Sequence, residues 1–287
     1  MHTHQVPYNL PVKESTSENL VIVNSYSNLL VEREGHVSVV TFNRPQKANA
    51  LDRSHLEEIE AVSNLFRDDS ETRVVVFTGA GKHFSSGADL SPDLDPIDQD
   101  AALVIRRRRA RIGERAVQAI LDIDQITVAA WNGAAMGGGA CLATAMDFRI
   151  GAQDCFMQYP EIEIGVNLMW KSLALLVRIA GPSRTKRLVA GGERILASEL
   201  LQWGILDQVV APEDLLDTAM EWAHRYARLP PIPQQMIKQS VNAIANALDT
   251  AIMHMDVDQN MLTASTEDRR EAIRSYLDKT NTDFKGD

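Results

Sequence analysis

The chain has 287 residues, 45% of them apolar and 24% charged, which fits one main globular domain with a helical appendage and excludes large-scale disorder. A formal net charge of −10 argues against a general nucleic-acid binder, because phosphate neutralisation needs a basic surface. Cys141 and Cys155 are too few for a disulfide framework and suit a reducing cytoplasm, and no uninterrupted apolar run approaches the length of a membrane span.

Residues 1–20 lack the apolar centre of a signal peptide, and a mobile leader is expected over residues 1–27. Asn28–Glu34 and His36–Asn43 are β-rich runs joined at Gly35, the pattern of a hairpin. Asp52 is placed to cap a helix over Arg53–Phe66, where Leu56, Ile59, Val62 and Leu65 recur at helical spacing. Arg73–Thr78 and Ile126–Trp131 are almost continuously apolar, as expected of strands covered on both faces, and Asp147–Gly151 is a shorter third example. The first half therefore reads as an α/β arrangement of buried strand, glycine-rich turn and helix.

From Lys171 onward the reading is helical: Ser172–Ile179, Ser183–Ala190, Ala197–Gln202, Pro212–Leu229, Pro233–Leu248 and two more, interrupted only by a short strand at Gln208–Val210. The cluster Pro230-Pro231-Ile232-Pro233 is expected to break the chain before the last helical group, which is long enough to serve as a subunit contact.

Two glycine-containing segments stand out. One is Phe84-Ser85-Ser86-Gly87-Ala88-Asp89-Leu90, after the first buried strand. The other is Asn132-Gly133-Ala134-Ala135-Met136-Gly137-Gly138-Gly139-Ala140-Cys141, where three glycines precede an apolar helical run over Ala140–Met146. Such glycines let a ligand approach the main chain and leave unpaired N–H groups at a helix N-terminus, which favours negative charge. Neither segment carries a dinucleotide or P-loop fingerprint, and tight helix–strand packing explains the triplet equally well by itself.

These two segments, together with FNRPQKANALD, YPEIEIG and TEDRREAIRSYLDK, resemble the enoyl-CoA hydratase/isomerase (crotonase) superfamily, and they occur in the family's order from about Asn28 to Lys285. The resemblance implies a spiral of ββα turns over residues 28–210 and a C-terminal helical trimerisation region over residues 211–287. It implies an acyl-CoA substrate, with coenzyme A entering as part of the thioester and no separate cofactor, and a homotrimer or dimer of trimers. The N–H groups of Ala88 and Gly138 would hold the thioester oxygen, where backbone donors stabilise developing enolate charge. Lys47, Ala48 and Ala50 match the loop that receives the upper part of coenzyme A. Ser86, Ala88, Asp89 and Leu90 match the stretch along the pantetheine arm, while Met136, Gly137, Cys141 and Pro160 line the site through the two motifs. Tyr276 and Lys279 align with residues that in some members reach a neighbouring subunit's coenzyme A.

Glu161 aligns with the second catalytic glutamate of the hydratase branch, whereas Cys141 stands where that branch has its first. A thiol with an ordinary pKa of about 8.5 is mostly neutral at pH 7 and a poor acceptor, so the two-carboxylate route to hydration is not provided. A single glutamate is the pattern of double-bond isomerases, in which one base moves a proton from C2 to C4 of a 3-enoyl thioester. The alternatives are a hydratase with an altered acid/base pair, a non-catalytic acyl-CoA-binding member, or a hydrolase or lyase acting on a non-CoA diketone. Glu163 and Glu114 are lesser candidates for the base, and Asn167 or Trp170 for the acyl pocket. Cys141 in an apolar helix with no histidine nearby in sequence reads as core packing rather than as a nucleophile. Arg106–Arg109 with Arg111 form the one dense basic cluster, read first as a solvated lid helix and second as a partner for coenzyme A phosphates. No histidine has metal-ligand spacing, so no metal is expected.

Overall fold

A computed structural model describes residues 21–89 and 101–287, with side chains from residue 26 onward. The earlier part of the expected leader and Leu90 lie outside the described residues.

The chain opens with β1 (Val21–Ser25), β2 (Leu29–Glu34) and β3 (Val37–Phe42), an antiparallel meander in which Gly35 makes the β2–β3 turn. β1 corrects the expected leader: Val21–Ser25 pairs with Leu30–Arg33 instead of standing free. A β-rich pentapeptide next to a hairpin edge satisfies its backbone groups by adding a strand. Then follow α1 (Arg53–Leu65) and β4 (Val74–Gly79). Beyond residue 100 come α2 (Leu103–Ala110), α3 (Ile112–Leu121), β5 (Ile126–Trp131), β6 (Ala134–Met136), α4 (Gly138–Thr144), β7 (Phe148–Ala152) and β8 (Phe156–Gln158). The second half holds α5 (Ser172–Ala180), α6 (Pro182–Val189), β9 (Ile195–Leu196), α7 (Ala197–Gln202), β10 (Gln208–Val210) and α8 (Leu215–Ala227). Last come α9 (Pro231–Ala245), α10 (Thr250–Met253), α11 (Asp256–Thr263) and α12 (Glu267–Asp278).

The main sheet runs β1-β2-β3-β4-β5-β7-β10, antiparallel through β3 and parallel from there on. A second, three-stranded sheet, β6-β8-β9, stands where the chain leaves β5 and β7. Val74, Val75, Val76 and Phe77 are fully buried on both faces of β4, which is why that strand shows no alternation in sequence. Phe42 lies edge-on to Phe84, and Phe84 packs at a tilt on Trp131, so one aromatic row ties β3 and β5 to the loop after β4. That row fixes the loop before any ligand arrives.

Two further expectations are corrected. The second half is not helical throughout apart from β10, because Ile195–Leu196 pairs antiparallel with Phe156–Met157 as β9. The proline cluster does not lie wholly before the helix either. α9 begins at Pro231, since a proline in the first turn lacks only an N–H that the helix would leave unpaired. Lys238 on α9 is buried, its ammonium donating to Gln125 O and pairing with Asp147, both at 2.7 Å, which docks this helix on the sheet.

Asp52 caps α1 as expected, accepting the His55 N–H at 2.8 Å, and it also pairs with Arg44 at 3.1 Å. Asp52→Ala should lower stability by about 1 kcal/mol, typical of a lost N-cap, which thermal denaturation would read as a fall of about 2–4 °C.

Candidate active site

The site is assembled by two loops that run side by side. Phe84 and Ser85 donate their N–H groups to Asn132 O and Ala134 O at 2.6 and 3.0 Å, and Met136 returns one to Ser85 O at 3.0 Å. The Asn132 side-chain amide braces this pairing, donating to Gly79 O and Gly81 O at 2.8 and 2.9 Å. On the other flank Ser86 donates to Ala48 O, Leu51 to Gly87 O and Asp89 to Leu51 O, all within 3.0 Å. The loop is thus held along both edges by backbone bonds.

At the end of this pairing both strands turn. Gly87 has φ +87°, Gly137 has φ +46°, and a methyl group added at Gly87 would stand 3.3 Å from the Gly138 nitrogen. Gly87 donates to Ser85 Oγ at 3.2 Å, and α4 makes its first turn with the Cys141 N–H on Gly137 O at 3.0 Å. Among the described residues, the N–H groups of Ala88 and Gly138 have no acceptor. Two unpaired backbone donors beside one another suit a partly charged oxygen.

Glu161 comes to the same place. It lies in a 3₁₀ turn, Pro160–Ile164. Glu163 takes a bond from Gln158 Nε2 at 3.1 Å, away from this position. A methyl group added at Gly137 would meet Glu161 Oε1 at 2.6 Å and displace the carboxylate, and the φ of +46° strains any side chain there. The residue is partly exposed elsewhere, but its Oε2 is sealed from solvent and has no hydrogen-bond partner. Burial accordingly pushes its pKa from the ordinary 4.5 to about 7.

Cys141 faces this carboxylate from inside the core. Its thiol reaches Met169 O at 3.8 Å, and burial, with the Glu161 charge adding to it, pushes its pKa well up. It stays neutral and cannot act as a base at pH 7. Below it, Tyr159 Oη meets Ser172 Oγ at 3.0 Å and Thr144 Oγ1 lies 3.4 Å from the same hydroxyl, a buried set that braces α4 and α5.

The remaining expected residues fall in several places. Ala48 and Ala50 belong to the loop after the 3₁₀ turn Pro45–Lys47, beside Ser86. Asp89 is turned toward Arg44 and Lys47, at 3.0 and 3.4 Å. Met136 ends β6 and Pro160 opens the 3₁₀ turn after β8, both partly buried and flanking Gly137 and Glu161. Tyr276 and Lys279 are exposed near the end of α12. Glu114 is buried and held by Arg111 at 2.9 Å and Lys171 at 3.6 Å, which leaves it an ion-pair member. Within the basic cluster, Arg107 pairs with Asp258 of α11. Among the described residues no three His, Cys, Asp or Glu side chains gather as a metal site would require.

Sequence reasoning missed Asn49. It is fully buried in a left-handed conformation (φ +54°), and its side chain joins Arg44 N, Ala80 O and His83 O at 2.6–2.9 Å. The signal was there, since asparagine tolerates this conformation better than most residues.

Comparison with known proteins follows the same outline. A family model described as enoyl-CoA hydratase/isomerase matches residues 32–287. The chain is 31% identical to a short-chain-enoyl-CoA hydratase of Clostridium acetobutylicum over 88% of its length and 95% of the relative's. It is also 31% identical to a 1,2-epoxyphenylacetyl-CoA isomerase of Escherichia coli, over 90% of this chain and 98% of that one. Among solved structures, an enoyl-CoA hydratase from Mycobacterium avium subsp. paratuberculosis shares the fold with a TM-score of 0.79 at 24% identity, covering 91% of this chain and all of that one. One from Bacillus anthracis has a TM-score of 0.70 at 29% identity, covering 91% of this chain and all of that one.

Proposed function

Because this chain belongs to the enoyl-CoA hydratase/isomerase family, we propose that it moves a double bond in an acyl-CoA thioester, with Glu161 as the one acid/base group. The observation that carries this reading is the solitary carboxylate: Glu161 is raised to about 7 by burial, its Oε2 has no hydrogen-bond partner, and the residue opposite it is the neutral thiol of Cys141.

The reaction needs no group beyond these. The thioester oxygen accepts the N–H groups of Ala88 and Gly138, which makes the C2 proton acidic. Glu161 as carboxylate takes that proton, and the electron pair passes to the oxygen as a dienolate. Glu161, now a carboxylic acid, returns the proton to C4, the carbonyl reforms and the double bond stands between C2 and C3. Each backbone donor contributes about 2.7–4 kcal/mol to the transition state. A base near neutrality matches the working pH and gives both protonation states ready access. The loop of Lys47, Ala48 and Ala50 receives the upper part of coenzyme A, with Ser86 along its arm.

Relatives named as a hydratase and as an isomerase both resemble this chain, so the test must separate the two reactions. Purified protein given a 3-enoyl-CoA should yield the 2-enoyl-CoA by chromatography. Given a 2-enoyl-CoA, it should form 3-hydroxyacyl-CoA far more slowly. Hydration as the faster reaction would overturn the assignment.

A homotrimer or a dimer of trimers is the assembly we favour. α9 and its continuation present Ile232, Met236, Ile237, Val241, Ile244 and Leu248 largely exposed, the last two at 80% and 81%. A stripe of this size on one helix is typical of a surface that a second subunit covers. Sedimentation equilibrium should return three or six times the 31.8 kDa chain mass.

A further inference from the structure

Trp170 is placed against the reaction centre by an unusual piece of backbone. It and Lys171 both have left-handed φ, +66° and +62°, at the foot of α5. The Lys171 N–H is tied to Asp256 of α11 at 2.9 Å, and upstream the Asn167 N–H is tied to Thr263 at 3.0 Å and its carbonyl to Asn260 at 2.7 Å. Left-handed residues with full side chains cost about 1–2 kcal/mol each and persist where surrounding contacts hold them.

This backbone drives the indole between two helices. Its six-membered ring lies on Gly138 of α4, with Cη2 only 2.6 Å from where a Cβ would be, and its fused edge lies on Gly113 of α3 in the same way. Any side chain at either glycine would collide with the ring, so the two helices leave a slot that fits the indole. The residue is 6% exposed, and its Nε1 has no hydrogen-bond partner.

Gly138 is also one of the two donors assigned to the thioester oxygen. An oxygen 2.7–3.1 Å from that nitrogen puts the first acyl carbons within a few ångströms of the glycine, and so beside the indole. From this contact we propose that Trp170 is the specificity-determining wall of the acyl site, confining it to short acyl groups. This inference rests on the thioester reading of the site. It adds to that reading the residue that limits the chain, and it does not depend on which reaction follows.

Binding of unreactive saturated thioesters tests it without catalysis. Isothermal calorimetry with butyryl-CoA and decanoyl-CoA should show the unmodified protein binding the short ester at least tenfold tighter. Trp170→Ala should abolish or invert that preference. Trp170→Phe, which keeps a smaller aromatic wall and is the safer variant for folding, should shift it part of the way. Equal binding of the two esters by the unmodified protein would overturn the inference, and so would an unchanged preference in both variants. Failure of the unmodified protein to bind either ester would instead overturn the thioester reading, and the role of Trp170 with it.

Discussion

Glu161→Gln should lower kcat for isomerisation by about 10²–10⁴-fold while changing thioester affinity only a few-fold, because general acid–base catalysis is lost and the oxygen-binding donors are not. Glutamine keeps the shape of the side chain against Gly137 but cannot take a proton. For the unmodified protein, kcat/KM should climb with pH and level off above about 7, the value to which burial raises this carboxyl. A profile governed instead by a group near 4.5 would mean that Glu161 is not the base.

The same burial makes a prediction about stability. In the unfolded chain the Glu161 carboxyl has its ordinary value of 4.5, and in the folded one it is raised to about 7, so the folded state holds the proton more tightly. The stability this group contributes is fully present below 4.5 and is lost as pH rises through 7. At 1.36 kcal/mol per unit, the folded protein at pH 8 is burdened by about 3 kcal/mol for keeping a buried carboxylate in place. Glu161→Gln should therefore be more stable than the unmodified protein in urea at pH 8, with the difference shrinking toward pH 4.5. Equal denaturation midpoints at pH 8 would show that water reaches the carboxylate in solution. A carboxylate held at a cost in stability is what the proposed acid/base role leads one to expect.

Some of this architecture is local and therefore visible in the sequence. The apolar runs of β4 and β5 declare a sheet buried on both faces, and the Asp52 cap declares the start of α1 to the residue. The two glycine segments are legible for the same reason, since only glycine meets their backbone demands. What was not legible depends on partners distant in the chain. β1 is a strand only because the β2 edge offers it bonds, and β9 only because β8 does. The burial of the Glu161 carboxylate could not be read either, since it is set by what surrounds the 3₁₀ turn. Trp170 stands in the sequence as a candidate for the acyl pocket, but its meeting with Gly113 does not: that contact joins residues 57 apart in the chain, and no periodicity or motif records it.

Gly87→Ala is the second substitution with a large expected effect, a loss of about 10²–10³-fold in kcat, the usual consequence of losing one donor of an oxyanion hole. Two separate features make the position intolerant. Its φ of +87° is a conformation that a Cβ strains, and that Cβ would stand 2.6 Å from Met136 O, which the second loop cannot yield without moving Gly137 and Gly138. The peptide that follows Gly87 carries the Ala88 N–H, so relief on either side separates the two donors. Their bond to the oxygen is strongest when that oxygen carries enolate charge, so kcat should suffer more than KM. Gly204→Ala supplies the comparison, because Gly204 has φ +75° with nothing within 4 Å of an added Cβ. It carries the backbone strain alone, well described by a stability loss of about 1–2 kcal/mol, and it should leave kcat unchanged. If Gly87→Ala and Gly204→Ala lowered stability alike and neither altered kcat, the N–H groups of Ala88 and Gly138 would not be the donors that hold the developing charge.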